Sequence, residues 1–248
     1  DRPVYGLQAR GLIGDEAPHT DMIQTAQDYL SEIRQIQPTG PYHLGGFSGG
    51  GITAFEMARQ LKASGDAIAS LVLLDTPLPM RPALNRRDKA LIKLQELREK
   101  GIGYLSEWLG NRIRWEIEKR HTKGPETGTQ PEFNNRKIEL AFRQALSTYE
   151  ITNWDGPLTL FRPPLDRKWK VSEQKWVSGA REYVFDDNAW TRWAPRTTVI
   201  EVPGNHDSMV LVPNVSVLAN HVRIVLDAAD PAPPSPMASR AALATAAE

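Results

Sequence analysis

The chain has 248 residues, with 30 Lys/Arg against 30 Asp/Glu and a formal net charge of +0. That length suffices for one α/β domain with an insertion or for two small domains, and the balanced charge gives no general reason to expect nucleic acid as a partner. The sequence contains no cysteine, which excludes a disulfide framework, a thiolate nucleophile and a cysteine metal site; no apolar run approaches the ~20 residues that span a bilayer, so a soluble, cytoplasmic protein that makes no use of a membrane is expected.

Asp1-Arg2-Pro3-Val4-Tyr5-Gly6-Leu7 opens directly as a short strand, without initiator methionine or lead-in, and reads as a piece cut from a longer chain. After a loop over 11–18, Thr20 or Asp21 can cap a helix whose apolar side is Ile23, Ala26, Leu30 and Ile33, stopped by Pro38-Thr39-Gly40-Pro41. Tyr42 to Phe47 reads as a strand and Gly50 to Leu61 as a helix, with Gly46-Phe47-Ser48-Gly49-Gly50 between them. A serine at the centre of G-x-S-x-G, between strand and helix, is a nucleophile elbow: the turn is tight enough to demand glycine at its flanks, and it pushes the serine out at the top of the sheet. The N–H of Gly49 and the start of the helix then face the same point, where an oxyanion would find a donor and a positive helix end. A phosphate-binding loop is set aside because the turn holds no lysine.

Leu71-Val72-Leu73-Leu74-Asp75 follows as a strand buried on both faces, and the alternation of strand and helix implies a parallel sheet with crossover helices. From Pro77 to Gly156 the strand signal stops. A helix over 87–100 places Leu91, Leu94 and Leu97 inward; a second carries Leu105, Leu109, Ile113 and Ile117 at i, i+4 spacing; a loop covers 121–131; a third helix runs over 134–149. The stretch of about 79–131 is expected to be a helical lid inserted into the α/β domain. Between Arg81 and Lys123 it holds twelve Lys/Arg against six Asp/Glu, which suits solvated helix faces or a docking surface for an acidic partner. Strand 156–161, a tryptophan-rich surface region (Trp169, Trp176, Trp190, Trp193), strand 197–202 and a helix over 213–227 complete the domain. The expected division is a domain over 1–228 and an Ala/Pro-rich flexible tail over 229–248.

A serine nucleophile needs a base, and the base needs a carboxylate to fix its tautomer. His43 lies inside the strand before the elbow, too close to turn back on Ser48; His19 and His121 lie in loops and His221 within the last helix. His206 follows the last strand on the Pro203-Gly204-Asn205 turn, at the strand ends where residues of the crevice of an open α/β sheet collect. For the acid, the usual chain order of such hydrolases nominates Asp166, whereas the strand directly after the elbow helix nominates Asp75; Asp207 would have to fold back on its neighbour. No histidine pair or carboxylate cluster has metal-ligand spacing, so no metal or bound cofactor is expected.

The runs Pro3 to Leu12, Gly40 to Gly50, Ala54-Phe55-Glu56-Met57-Ala58, Leu71 to Thr76, Gly156 to Arg162 and Val202-Pro203-Gly204-Asn205-His206-Asp207 resemble, in that order, the type I thioesterase domains that end polyketide synthases and nonribosomal peptide synthetases. The resemblance implies an α/β-hydrolase fold, a mostly parallel sheet with flanking helices and an inserted helical lid. It also implies Asp75 as the acid of a Ser48, Asp75, His206 triad. The implied reaction takes an acyl or peptidyl chain from the phosphopantetheine of a carrier protein, fed by upstream synthase modules, onto Ser48, and releases it by hydrolysis or macrocyclisation. Family members begin with a strand and a Gly-rich loop that supplies the second oxyanion N–H; nothing before Asp1 provides it, so the N-terminal strand or strands of the fold are expected to be missing. A free-standing editing thioesterase or esterase, and a non-catalytic hydrolase-fold binding module, are the competing readings.

Overall fold

The computed structural model describes residues 2–101 and 135–230. The chain divides into two units, one made of Ala26–Thr76, Asn153–Pro163 and Ala194–Glu248, the other of Asp1–Thr25, Pro77–Thr152 and Pro164–Trp193.

The first of these carries a four-stranded sheet, β1 (Tyr42–Phe47), β2 (Ile68–Leu74), β3 (Leu158–Arg162) and β7 (Thr197–Glu201), in the order β1-β2-β3-β7 and parallel throughout. Register brings Phe47 beside Leu74, Leu74 beside Phe161 and Arg162 beside Glu201, so the carboxyl ends of all four strands form one edge. The sheet is packed on both faces. On one, α1 (Met22–Ile36) and α2 (Gly49–Ala63) enclose Ala26, Leu30, Tyr42, Met57 and Leu61; on the other, α5 (Asn214–Ala229) lays Leu218 on Val72, Phe161, Val202 and Met209. Asp21 is the cap of α1, its Oδ1 accepting from the N–H of Gln24 at 2.8 Å. The buried line of α1 is Met22, Ala26 and Leu30; Ile23, expected inward, is exposed.

In the other unit, α3 (Arg86–Lys100) packs on a small antiparallel sheet, β4 (Trp169–Lys170), β5 (Trp176–Val177) and β6 (Tyr183–Val184), through Ile92, Trp169, Val171 and Val177. Two expectations are corrected here. Leu94 points outward, while Leu91 packs half-buried against this cluster and Leu97 is half-buried; the fully buried line of α3 is Asp88, Ile92 and Glu96. The charges are tolerated because each is paired: Asp88 accepts from the Ser172 N–H and hydroxyl, the Asn85 amide and the Tyr183 hydroxyl, while Arg181 grips both oxygens of Glu96. Burial pushes the Asp88 carboxyl up, but the bonds from Ser172, Tyr183 and Asn85 outweigh it and hold the group below the usual carboxylate range. The tryptophan-rich region is likewise no mere surface loop: Trp169 and Trp190 are buried, and Trp169 and Trp176 lie on strands. A further helix, α4 (Asn135–Thr148), lies between α3 and β3 in the chain; the helix expected around Leu105 to Ile117, the loop over 121–131 and the tail after Asp230 lie outside the described residues.

The expected strand at the start is absent: residues 2–9 form no strand, with Val4 92% and Tyr5 61% exposed. A strand needs a neighbour for its N–H and C=O groups, and among the described residues the sheet ends at β1. Among those residues, too, no helix is long and apolar enough to cross a membrane.

The elbow shows which glycines are obligatory. A Cβ on Gly46 would lie 2.3 Å from the carbonyl of Gly50, and one on Gly51 would lie 1.9 Å from Oγ1 of the buried Thr76, whereas a Cβ on Gly50 meets nothing within 4 Å. The second glycine of G-x-S-x-G is therefore sterically free, and the close approach falls one residue later. Gly46→Ala and Gly51→Ala should each lower the thermal midpoint by several degrees, at about 1–3 kcal/mol of overpacking, while Gly50→Ala leaves it unchanged or slightly raised. Thermal unfolding of the three variants checks this, and a Gly50→Ala loss equal to the others would contradict it.

Candidate active site

Three side chains from three strand ends meet at the carboxyl edge of the sheet. Ser48 is the single residue between β1 and α2 and has φ 52 and ψ −125, a conformation an L residue adopts at a cost of about 1–3 kcal/mol. It is held there by its own N–H, which donates to the Leu74 carbonyl at 2.9 Å, and by its carbonyl, which accepts from Gly51 N–H at 3.1 Å. Gly46 admits the first turn of α2 against β1, so the chain reverses within one residue and Oγ is left outside the turn.

Asp75 follows β2, the neighbour of β1, and also leaves its strand with positive φ (41). Its N–H donates to the Phe161 carbonyl at 2.7 Å, tying the turn to the end of β3. Asparagine and aspartate tolerate this region better than other side chains. Here it aims the carboxylate at His206 rather than along the strand.

His206 comes from β7, two strands beyond β2, on the loop that starts at Val202. Its Nδ1 lies 2.8 Å from Asp75 Oδ2 and its Nε2 3.1 Å from Ser48 Oγ. With Asp75 ionised, the consistent proton assignment is Nδ1–H donating to the carboxylate and the serine hydroxyl donating to Nε2. The carboxylate is largely withdrawn, 17% exposed, whereas the imidazole is 43% exposed and open to an incoming group. That arrangement can deprotonate Ser48 as it attacks and stabilise the imidazolium that results.

Sequence reasoning missed one member of this group. The ring of Phe47 stacks on His206, centroids 4.9 Å apart and 26° between planes. An aromatic in the second position of the motif was the available signal, but at the end of a strand it reads as core. Gly49 begins α2, so its amide has no acceptor within the helix and no acidic residue occupies the first turn to compete for it.

The other candidates go elsewhere. Asp166 accepts from the N–H of Gly179 at 2.6 Å, and Asp75 is the carboxylate bound to His206. His43 bridges Ser70 Oγ (2.9 Å, through Nδ1) and Asp230 Oδ1 (3.1 Å, through Nε2), pinning the end of α5 to β1 and β2. His221 packs its ring near Phe161, and His121 lies outside the described residues. Among the described residues there is no group of three or more His, Cys, Asp or Glu side chains that could hold a metal ion.

Comparison with known proteins gives this geometry a context. A family model described as thioesterase domain matches residues 1–223. Polyketide synthase PksR of Bacillus subtilis (strain 168) is 50% identical over 76 residues, 31% of this chain and 3% of that protein. Indigoidine synthase of Dickeya dadantii (strain 3937) is 27% identical over 245 residues, 90% of this chain and 15% of that protein. The chain thus spans a small fraction of the length of these relatives. Among solved structures, the NocB thioesterase domain in covalent complex with a fluorophosphonate nocardicin G analogue matches 83% of this chain and 74% of its own at 25% identity and a TM-score of 0.51. The four-domain nonribosomal peptide synthetase AB3403 matches 87% of this chain and 17% of its own, at 24% identity and a TM-score of 0.54, a likeness of fold. The parallel sheet with its helices is accordingly that of an α/β-hydrolase.

Asp75 beside Nδ1 and the serine hydroxyl beside Nε2 favour one tautomer of His206. In ¹⁵N-edited spectra of the imidazole, neutral His206 should show the proton on Nδ1, and Asp75→Ala should abolish that preference. A wild-type ring protonated on Nε2 would be incompatible with Nε2 accepting from Ser48.

Proposed function

We propose, from the premise that this chain belongs to the thioesterase domain family, that it releases an acyl, polyketide or peptidyl chain from the phosphopantetheine arm of a carrier protein through an acyl-enzyme on Ser48. The observation that carries the reading is the continuous Ser48–His206–Asp75 hydrogen-bond chain at the elbow. Ser48 Oγ attacks the thioester carbonyl while His206 Nε2 takes its proton. Charge develops on the carbonyl oxygen, where the Gly49 N–H and the positive end of α2 are the available stabilisers. The C–S bond then breaks and the sulfur leaves as a thiol, carrying the proton from His206. In the second half water, or a hydroxyl or amine of the chain itself, gives its proton to His206, attacks the ester and expels Ser48 Oγ, which recovers the proton. The phosphopantetheine is part of the substrate, and each step is written with this chain's own side chains and backbone.

The segment between β2 and β3 is taken as the helical lid over about 79–131, inserted in a domain over 1–228. Its first helix, α3, exposes Arg86, Arg87, Lys89, Lys93 and Arg98, a surface suited to an acidic carrier protein delivered by upstream synthase modules.

Brief exposure to an octanoyl thioester should add the mass of the acyl group to the wild type and nothing to Ser48→Ala, with free acid or ring in the supernatant identifying the releasing nucleophile. Absence of an adduct on the wild type would favour a binding module instead. Reversing Arg86 and Arg87 to Glu should raise KM several-fold for carrier-bound substrate and leave KM for a small thioester unchanged; an unchanged KM for both would remove the docking role of α3.

A further inference from the structure

His206 has the longest way to come. β7 and β1 stand three strand spacings apart, roughly 14 Å at about 4.8 Å each, so the loop after β7 must carry the imidazole back across the end of β3 to reach Ser48. The loop's ends are fixed: Val202 and Met209 are both buried in the cluster with Val72, Phe161 and Leu218. Between them Pro203, Gly204 and Asn205 are exposed, and packing alone does not define where residue 206 sits.

The middle is held by a reciprocal pair of bonds. Asn205 Oδ1 accepts from the N–H of Ser208 at 2.9 Å, and Ser208 Oγ accepts from the N–H of Asn205 at 2.9 Å. This is the geometry of a capping box, with Asn205 in the cap position and a serine in place of the usual Glu or Gln three residues on. The short turn so begun continues with Met209 N–H donating to the Asn205 carbonyl at 2.9 Å. His206 is the first residue inside it. A second anchor comes from α5: Asn214 Nδ2 donates to the Ser208 carbonyl at 3.2 Å. Gly204 lets the clasp close, because its φ is +106 and a Cβ there would lie 2.7 Å from Asn214 Nδ2 and 2.9 Å from Ser208 Oγ. Asp207, the other residue enclosed, is exposed and lies outside both bonds of the clasp.

We infer that Asn205 and Ser208 are positioning residues for the reaction proposed above: they act as one clasp that sets the first turn after β7 so that the His206 ring meets Asp75 and Ser48 at once. The inference rests on the thioesterase reading, since it concerns the orientation of that reading's base. Neither residue touches the reacting atoms, and a misplacement of His206 by a fraction of its hydrogen-bond distance is what their loss produces.

The test uses the 248-residue chain with two probes, a fluorophosphonate that labels an activated serine and the N-acetylcysteamine thioester of octanoate. Asn205→Ala and Ser208→Ala should each slow labelling of Ser48 and lower kcat by about ten- to a hundredfold, with KM within twofold of wild type and the thermal midpoint within a few degrees. The double variant should be no slower than the worse single variant, because either change opens the same clasp. Ser208→Thr keeps a hydroxyl acceptor and should recover most of the rate. Variants that label and turn over within twofold of wild type would overturn the clasp. So would a rate lost only in proportion to folded protein, with Ser208→Thr no better than Ser208→Ala. A wild type that never labels at Ser48 would instead remove the thioesterase reading, so the two failures are separable.

Discussion

Everything at the functional edge of the sheet depends on how closely α2 approaches the strand it follows. At Gly46 and Gly51 a single added carbon would collide with backbone or with Thr76, so the helix begins in contact with the ends of β1 and β2. That contact leaves one residue for the reversal, and the one residue is Ser48 with its positive φ. Its strain is paid for by bonds the strand ends make anyway: Ser48 N–H to Leu74 and Gly51 N–H to Ser48. A half-buried hydroxyl held outside the turn and an N-terminal helix turn beside it follow from backbone sterics, before any catalytic argument is made.

The two partners of Ser48 solve different problems. Asp75 directly follows the neighbouring strand, level with Ser48 because Phe47 pairs with Leu74, and needs only a left-handed residue and a bond to β3 to turn its carboxylate inward. His206 crosses the end of β3 instead, which costs loop entropy, and the structure offsets it with a side-chain clasp, a glycine at φ +106 and the ring of Phe47. The longer the reach, the more of the geometry is set by side chains rather than by the ladder. The supports of His206 are accordingly less buried than Phe161, which holds Asp75: Asn205 is exposed and Ser208 half-buried.

The same distinction explains what could be read from the sequence. Ser48 and its elbow were legible because a serine among clustered glycines between strand and helix marks a tight turn, although the steric need falls on Gly46 and Gly51 rather than on the motif's second glycine, Gly50. β2 was legible as an uninterrupted apolar run, and His206 as a histidine just past a strand on a glycine turn. The choice between Asp75 and Asp166 was not legible from local pattern alone, since it depends on which strand lies next to β1, a tertiary fact; the family resemblance pointed to Asp75. The inward line of α3 was hidden for another reason. Leu91, Leu94 and Leu97 have helical spacing, but Asp88 and Glu96 win the buried face with Ile92 because their partners, Ser172, Tyr183 and Arg181, come from far along the chain. Hydrophobic periodicity cannot see a buried charge whose partner is about 85 residues away. Val4 and Tyr5 failed as a strand for the complementary reason, that β propensity yields a strand only where the segment is laid against a sheet, and residues 2–9 pair with none of the described strands.

In the reaction proposed above, hydrolysis and ring closure would make the same demand on Ser48, His206 and Asp75. There His206 would remove a proton from whichever nucleophile approaches the ester and return it to Ser48, with Asp75 holding the same tautomer in either case. The outcome of that reaction would therefore turn on whether water or the chain's own nucleophile occupies the position in front of Nε2 once the proposed acyl-enzyme has formed. An imidazole 43% exposed does not choose between them. Selection would then have to come from contacts beyond Ser48, His206 and Asp75, so that one elbow could serve many substrates unchanged.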